Sequence, residues 1–112
     1  MKDISNKEQI KQIERYPKEV LQSIENIVNI LEKNYGKNRN VYNDLGGYVL
    51  IAEDIVDIEI LKQDKLQGLI PEYTDIIKCS EGVNWTSSLF LLSIDYSIVV
   101  VCTEELSKFL IE

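Results

Sequence analysis

Apolar residues at Val20, Ile24, Ile27, Val28, Leu31 and Tyr35 recur every three or four positions, the repeat of one face of an α-helix. That spacing predicts a helix over residues 17–35. Pro17 suits its first turn, and Gly36 follows the last apolar position as a left-handed cap does. Lys33, Lys37 and Arg39 fall where the helix dipole favours positive charge. Upstream, Ser5 and Glu8 match the S-x-x-E capping box and predict a shorter helix over about residues 6–15, interrupted by Tyr16-Pro17.

Beyond residue 36 the period changes. The stretch KNRNVYNDLGG, 37–47, is rich in Asn, Gly and Asp and reads as a loop. It leads into YVLIAE, 48–53, apolar at successive positions and so expected to be a strand central in the sheet or covered on both faces. DIVDIEILKQDKL, 54–66, fits two patterns. Val56, Ile58 and Ile60 alternate with Asp57 and Glu59 as in a strand, whereas Ile55, Ile58 and Leu61 behind an Asp54 cap suit a short helix, the reading we adopt. YTDIIKC, SEG and VNWTSSLFLL read as strand, tight turn and strand. A second turn at Ser93 to Asp95 leads into YSIVVVC, the most β-prone segment, and then into a C-terminal helix, TEELSKFL, capped by Thr103.

These elements predict an α+β fold within a single domain, 1–112: an N-terminal helix or helix pair, a mostly antiparallel sheet of about four strands, and a short C-terminal helix, with the helices on one face. A chain of 112 residues with 45% hydrophobic and 28% charged residues has the size and composition of one such domain. The longest apolar runs, YVLIA and IVVVC, are far shorter than the roughly 20 residues that cross a bilayer, and the N-terminus lacks the apolar core of a signal peptide. A cytoplasmic location and no membrane contact are expected.

Charge adds a direction. Residues 1–40 carry eight Lys/Arg and six Asp/Glu, whereas residues 41–112 carry four against thirteen, so the net charge of −7 resides in the second half. Such a surface repels nucleic acid, which is held by neutralising phosphates, and attracts a basic protein. The absence of histidine removes Ser-His-Asp, Cys-His and metal-histidine chemistry, and no catalytic residue and no cofactor is assigned. Cys79 and Cys102 have no zinc-site spacing; in a meander of the last three strands they lie two strands apart, too far for a disulfide, and read as buried small apolar residues. Ser87 and Ser88 have no nucleophile-elbow context and read as strand residues.

Two features remain for recognition. Asp44, Glu53, Asp54, Asp57 and Glu59 form an acidic series around the YVLIAE strand, without the D-x-[DN]-x-[DN]-G pattern of a calcium loop. Tyr42, within that series, and Trp85 are candidate aromatic anchors. Gly46 and Gly47 precede their strand, the reverse of a phosphate-binding strand–loop–helix, so they read as a sharp lead-in to it rather than as a nucleotide cradle.

With an LGGYVLIAED-type strand opening, a small size, an acidic surface and no histidine, the chain resembles the immunity-type proteins of bacteria and prophages that neighbour toxin genes. The resemblance implies a non-catalytic cytoplasmic antidote that binds a basic toxin domain, here through Tyr42, Asp44, Glu53, Asp54, Asp57 and Glu59. An alternative role is a structural or regulatory homodimer joined through the apolar helix 17–35 or a sheet edge, and a further one is a carboxylate enzyme using Mg²⁺.

Overall fold

The computed structural model describes residues 1–4, 7–11, 13, 15–35, 49–93 and 96–111. Its elements are β1 (Lys2–Ile4), α1 (Lys7–Ile10), α2 (Lys18–Tyr35), β2 (Val49–Ile51), α3 (Ile55–Ile60), β3 (Tyr73–Ile77), β4 (Trp85–Ser93), β5 (Tyr96–Thr103) and α4 (Glu104–Ile111). The protein is α+β, as its patterning predicts. Five strands form one sheet in the order β1-β2-β5-β4-β3, one more than the four expected. The ladders β1–β2, β4–β5 and β3–β4 are antiparallel; β2 and β5 run parallel, with Val49, Leu50 and Ile51 opposite Val99, Val100 and Val101.

The extra strand is β1. Lys2 and Asp3 give it no apolar alternation, but Ile4 pairs with Val49 and is fully buried. Tertiary pairing thus makes a strand where local pattern shows none. The N-terminal helix is correspondingly shorter than the predicted 6–15, ending at Ile10. Ile10, Ile13 and Tyr16 all reach the core, and Pro17 disfavours helical geometry in the residue before it. The Pro17 carbonyl then accepts the Val20 and Leu21 N–H groups at 3.0 and 3.1 Å, opening α2. Val20, Ile24, Val28 and Leu31 are buried along one stripe of that helix, with Ile27 beside them.

Helices cover both faces of the sheet rather than one. Odd-numbered residues of β4 and β5, with Val49 and Ile51, face α1 and α2; Leu50, Phe90, Ile98, Val100 and Cys102 face α3 and α4. The physical reason lies in β2 and in the run from Ser97 to Cys102 of β5, whose consecutive residues are all buried and require an apolar layer on each side. Cys79 belongs to one core and Cys102 to the other; both are free, and burial raises both thiols above the usual cysteine value.

The segment after β2 is helical. Asp54 caps α3, which widens into a π-helical coil over Leu61–Leu66 and ends where Gln67 and Gly68 both take positive φ. The β3–β4 turn closes with the Gly82 N–H on the Cys79 carbonyl at 3.2 Å, Gly82 having φ of 97°. Among the described residues no helix is long and apolar enough to cross a membrane.

Candidate interaction surface

After β2 the Ala52 N–H still donates to the Val101 carbonyl at 2.9 Å, so the chain leaves the sheet beside the end of β5. Because β2 and β5 are parallel neighbours and each runs into a helix, α3 and α4 begin at the same end of the molecule and pack side by side. Lys62 joins them lower down, its Nζ donating to the Phe109 carbonyl at 3.0 Å.

The start of α3 is a reciprocal cap. Asp54 Oδ1 accepts the Asp57 N–H at 2.9 Å, and Asp57 Oδ2 accepts the Glu53 N–H at 2.8 Å. Asp57 is only 8% exposed, and its Oδ2 lies 3.3 Å from the Met1 amino group. Glu53 also reaches that amine, at 3.8 Å, and pairs with Arg15 through its other oxygen. Arg15 in turn lies 5.3 Å from the centroid of the Tyr16 ring, and Tyr16 meets Trp85 edge-on at 5.6 Å. Two of the four described candidate acids therefore turn toward the chain's own N-terminal segment, and Trp85 packs against the core.

Asp54 and Glu59 are exposed on α3. Tyr42 and Asp44, with Gly46 and Gly47, lie outside the described residues. The structure adds Glu104 and Glu105, both exposed in the first turn of α4, where the Thr103 hydroxyl accepts the Leu106 N–H at 3.3 Å. Acidic residues in the first turns are favoured by the N-terminal ends of the two helix dipoles. Ile55, Val56, Ile60 and Phe109 stand exposed on the same pair of helices. Asp54, Glu59, Glu104 and Glu105 are exposed at or on the same two helices, as is Lys108, and Lys62 lies in the coil that continues α3.

Part of this surface shows in the linear pattern. Once Ile58 and Leu61 are assigned to the buried side of α3, Val56 and Ile60 are apolar residues left without a core position. That Glu104 and Glu105 begin a helix at the same end of the sheet as Asp54 has no counterpart in the linear pattern, since it depends on β2 and β5 being parallel neighbours.

A second opening lies across the sheet. Between α2 and β3 runs a groove of about 700 Å³, lined by Lys18, Glu19, Gln22, Asn26, Asp75 and Lys78 among others. It continues into a hollow of about 330 Å³ lined by Ile30, Tyr73, Leu89 and Leu91, with Ile27, Asp75 and Ser87 common to both. Glu19 closes one end by accepting the Ser80 N–H at 2.8 Å, which holds its carboxyl below the usual glutamate value. Ser88, on the far face of β4, shares a 2.9 Å hydrogen bond with Thr74. Among the described residues no group of three or more Cys, Asp or Glu side chains is placed to hold a metal ion.

No family model matches the chain, and no curated protein or solved structure matches it either.

Proposed function

We propose that the protein is a non-catalytic, cytoplasmic, immunity-type antidote that captures a basic toxin domain on the outer face of α3 and α4. The observation that carries this reading is that two helices packed together, α3 and α4, expose Ile55, Val56, Ile60 and Phe109 along with the carboxylates Asp54, Glu59, Glu104 and Glu105. Apolar side chains desolvated at the centre of a contact supply affinity, and a charged rim speeds encounter and rejects partners of the same sign. Asp54, Glu59, Glu104 and Glu105 are the recognition acids. Asp57 and Glu53 hold the platform by fixing the start of α3 to the N-terminal segment. Nucleic acid is the wrong sign for such a face.

In the homodimer alternative a sheet edge is the better supported contact, because Val20, Ile24, Val28 and Leu31 of α2 are buried against the sheet. The deciding experiment measures binding to the product of the neighbouring gene. Tight association that is lost in a Glu104→Lys/Glu105→Lys variant supports the reading; absence of association with the unaltered chain removes it.

A further inference from the structure

The outer edge of β3 is the end of the sheet, and no described strand pairs with it. Among the described residues no strand takes up the backbone N–H and C=O groups on that side, the groups through which an edge strand pairs with another chain. The groove beside α2 runs along this same strand, and Ile76, whose side chain belongs to the opposite face, lines it as well, so the hollow reaches the strand edge. A helix flanking an open edge strand is the arrangement in which an added strand gains main-chain hydrogen bonds and the groove receives its alternate side chains.

The lining has a direction. Tyr73, Asp75 and Ile77 share the groove face of β3, two residues apart and so about 6.6 Å from one to the next. Around Tyr73 the wall is apolar, with Ile30, Leu89 and Leu91; at Asp75 it presents a carboxylate that has no ion pair among the described residues. Ile30 and Tyr73 are 60% and 56% exposed, unusually open for large apolar side chains beside a core.

We propose that β3 and this groove receive an extended peptide segment of a partner protein, added as a sixth strand, with a large apolar side chain beside Tyr73 and Leu91 and a basic side chain two positions away beside Asp75. The site lies on the opposite face of the sheet from α3 and α4 and does not rest on the toxin-binding reading. A second copy of the chain fits less well. Antiparallel self-pairing centred on Asp75 sets two carboxylates opposite each other, and pairing centred on Ile76 places Asp75 opposite Ile77; in both, the Lys78 of each copy falls at the end of the ladder opposite Glu72 or Thr74 and leaves Asp75 without a cation across from it.

The test uses the full chain, labelled for amide NMR, and a capped heptapeptide with Leu, Lys and Val at alternate positions and Thr between them. Saturable shifts confined to residues 73–77 and to the Gln22, Asn26 and Ile30 side of α2, with slowed exchange of β3 amides, are expected. Asp75→Lys weakens this peptide about tenfold or more and restores binding of its Lys-to-Glu version, a charge reversal that a folding defect does not mimic. Absence of saturable shifts up to about 1 mM peptide, or shifts centred on α3 and α4, overturns the assignment. It is also overturned if β3 amides shift with protein concentration alone, which assigns the edge to a second copy.

Discussion

The two helical covers of the sheet differ in how they acquire charge. On one face the long helix α2, with the short α1 beside it, lies over the sheet with Val20, Ile24, Val28 and Leu31 buried, and the groove along α2 carries both signs, lined by Lys18, Lys78, Glu19 and Asp75. On the other face two short helices start side by side because the strands that feed them, β2 and β5, are parallel neighbours. Each helix start favours acids, for capping and for its dipole, so the topology sets Asp54 and the pair Glu104 and Glu105 at the same end of the sheet although they are far apart in the chain. A strongly signed surface can thus arise from a strand pairing rather than from local composition.

The comparison breaks first if the second cover is not a true core. Phe90, the largest fully buried side chain of that layer, anchors it, and Phe90→Ala is expected to lower unfolding free energy by about 3–5 kcal/mol. Denaturant unfolding at unchanged slope measures this; a loss below about 1 kcal/mol would show that α3 and α4 are loosely held.

A smaller effect separates platform acids from recognition acids. Asp57→Ala removes the acceptor of the Glu53 N–H and a neighbour of the Met1 amine, and should cost roughly 1–3 kcal/mol. Glu59→Gln, on the exposed side of the same helix, should stay within about 0.5 kcal/mol. Equal costs in the same unfolding assay would erase the distinction drawn between them.

Glu19 sharpens the contrast from the other face. Its carboxyl lies below the usual glutamate value because it accepts the Ser80 N–H, so the native state binds its proton less readily than the unfolded chain. The stabilisation is complete above the unfolded value and disappears as pH falls through the lower, native one. Glu19→Gln should therefore flatten the fall of stability in that acid range. The change is small because the side chain is solvated, and an unaltered pH profile would mean that the contact with Ser80 contributes nothing.

The elements legible from the chain were those whose own residues carry the signal. The 3.6-residue stripe of α2, the β-branched run of β5, Thr103 before α4 and Asp54 before α3 each specify their element locally. β1 was hidden because two of its three residues are polar and its identity comes from pairing with β2. The covering of both faces was implied by Val49, Leu50 and Ile51, all buried, yet it extends through β5 only because the two strands are adjacent. The acidic series 53–59 was visible as charge, but the split between Asp57, 8% exposed, and the exposed Glu59 follows from helical rotation and from the position of the N-terminal segment.

The most direct measurement is the association rate between this protein and the neighbouring gene's product from about 0.1 M to about 1 M salt, over which the Debye length falls from about 10 Å to about 3 Å. The unaltered chain is expected to associate rapidly at low salt, slowing steeply as salt rises, and Glu104→Lys/Glu105→Lys should start slow and lose most of that dependence while remaining folded. Tight binding whose rate is indifferent both to salt and to the two lysines would contradict the acidic α3–α4 face as the site of capture.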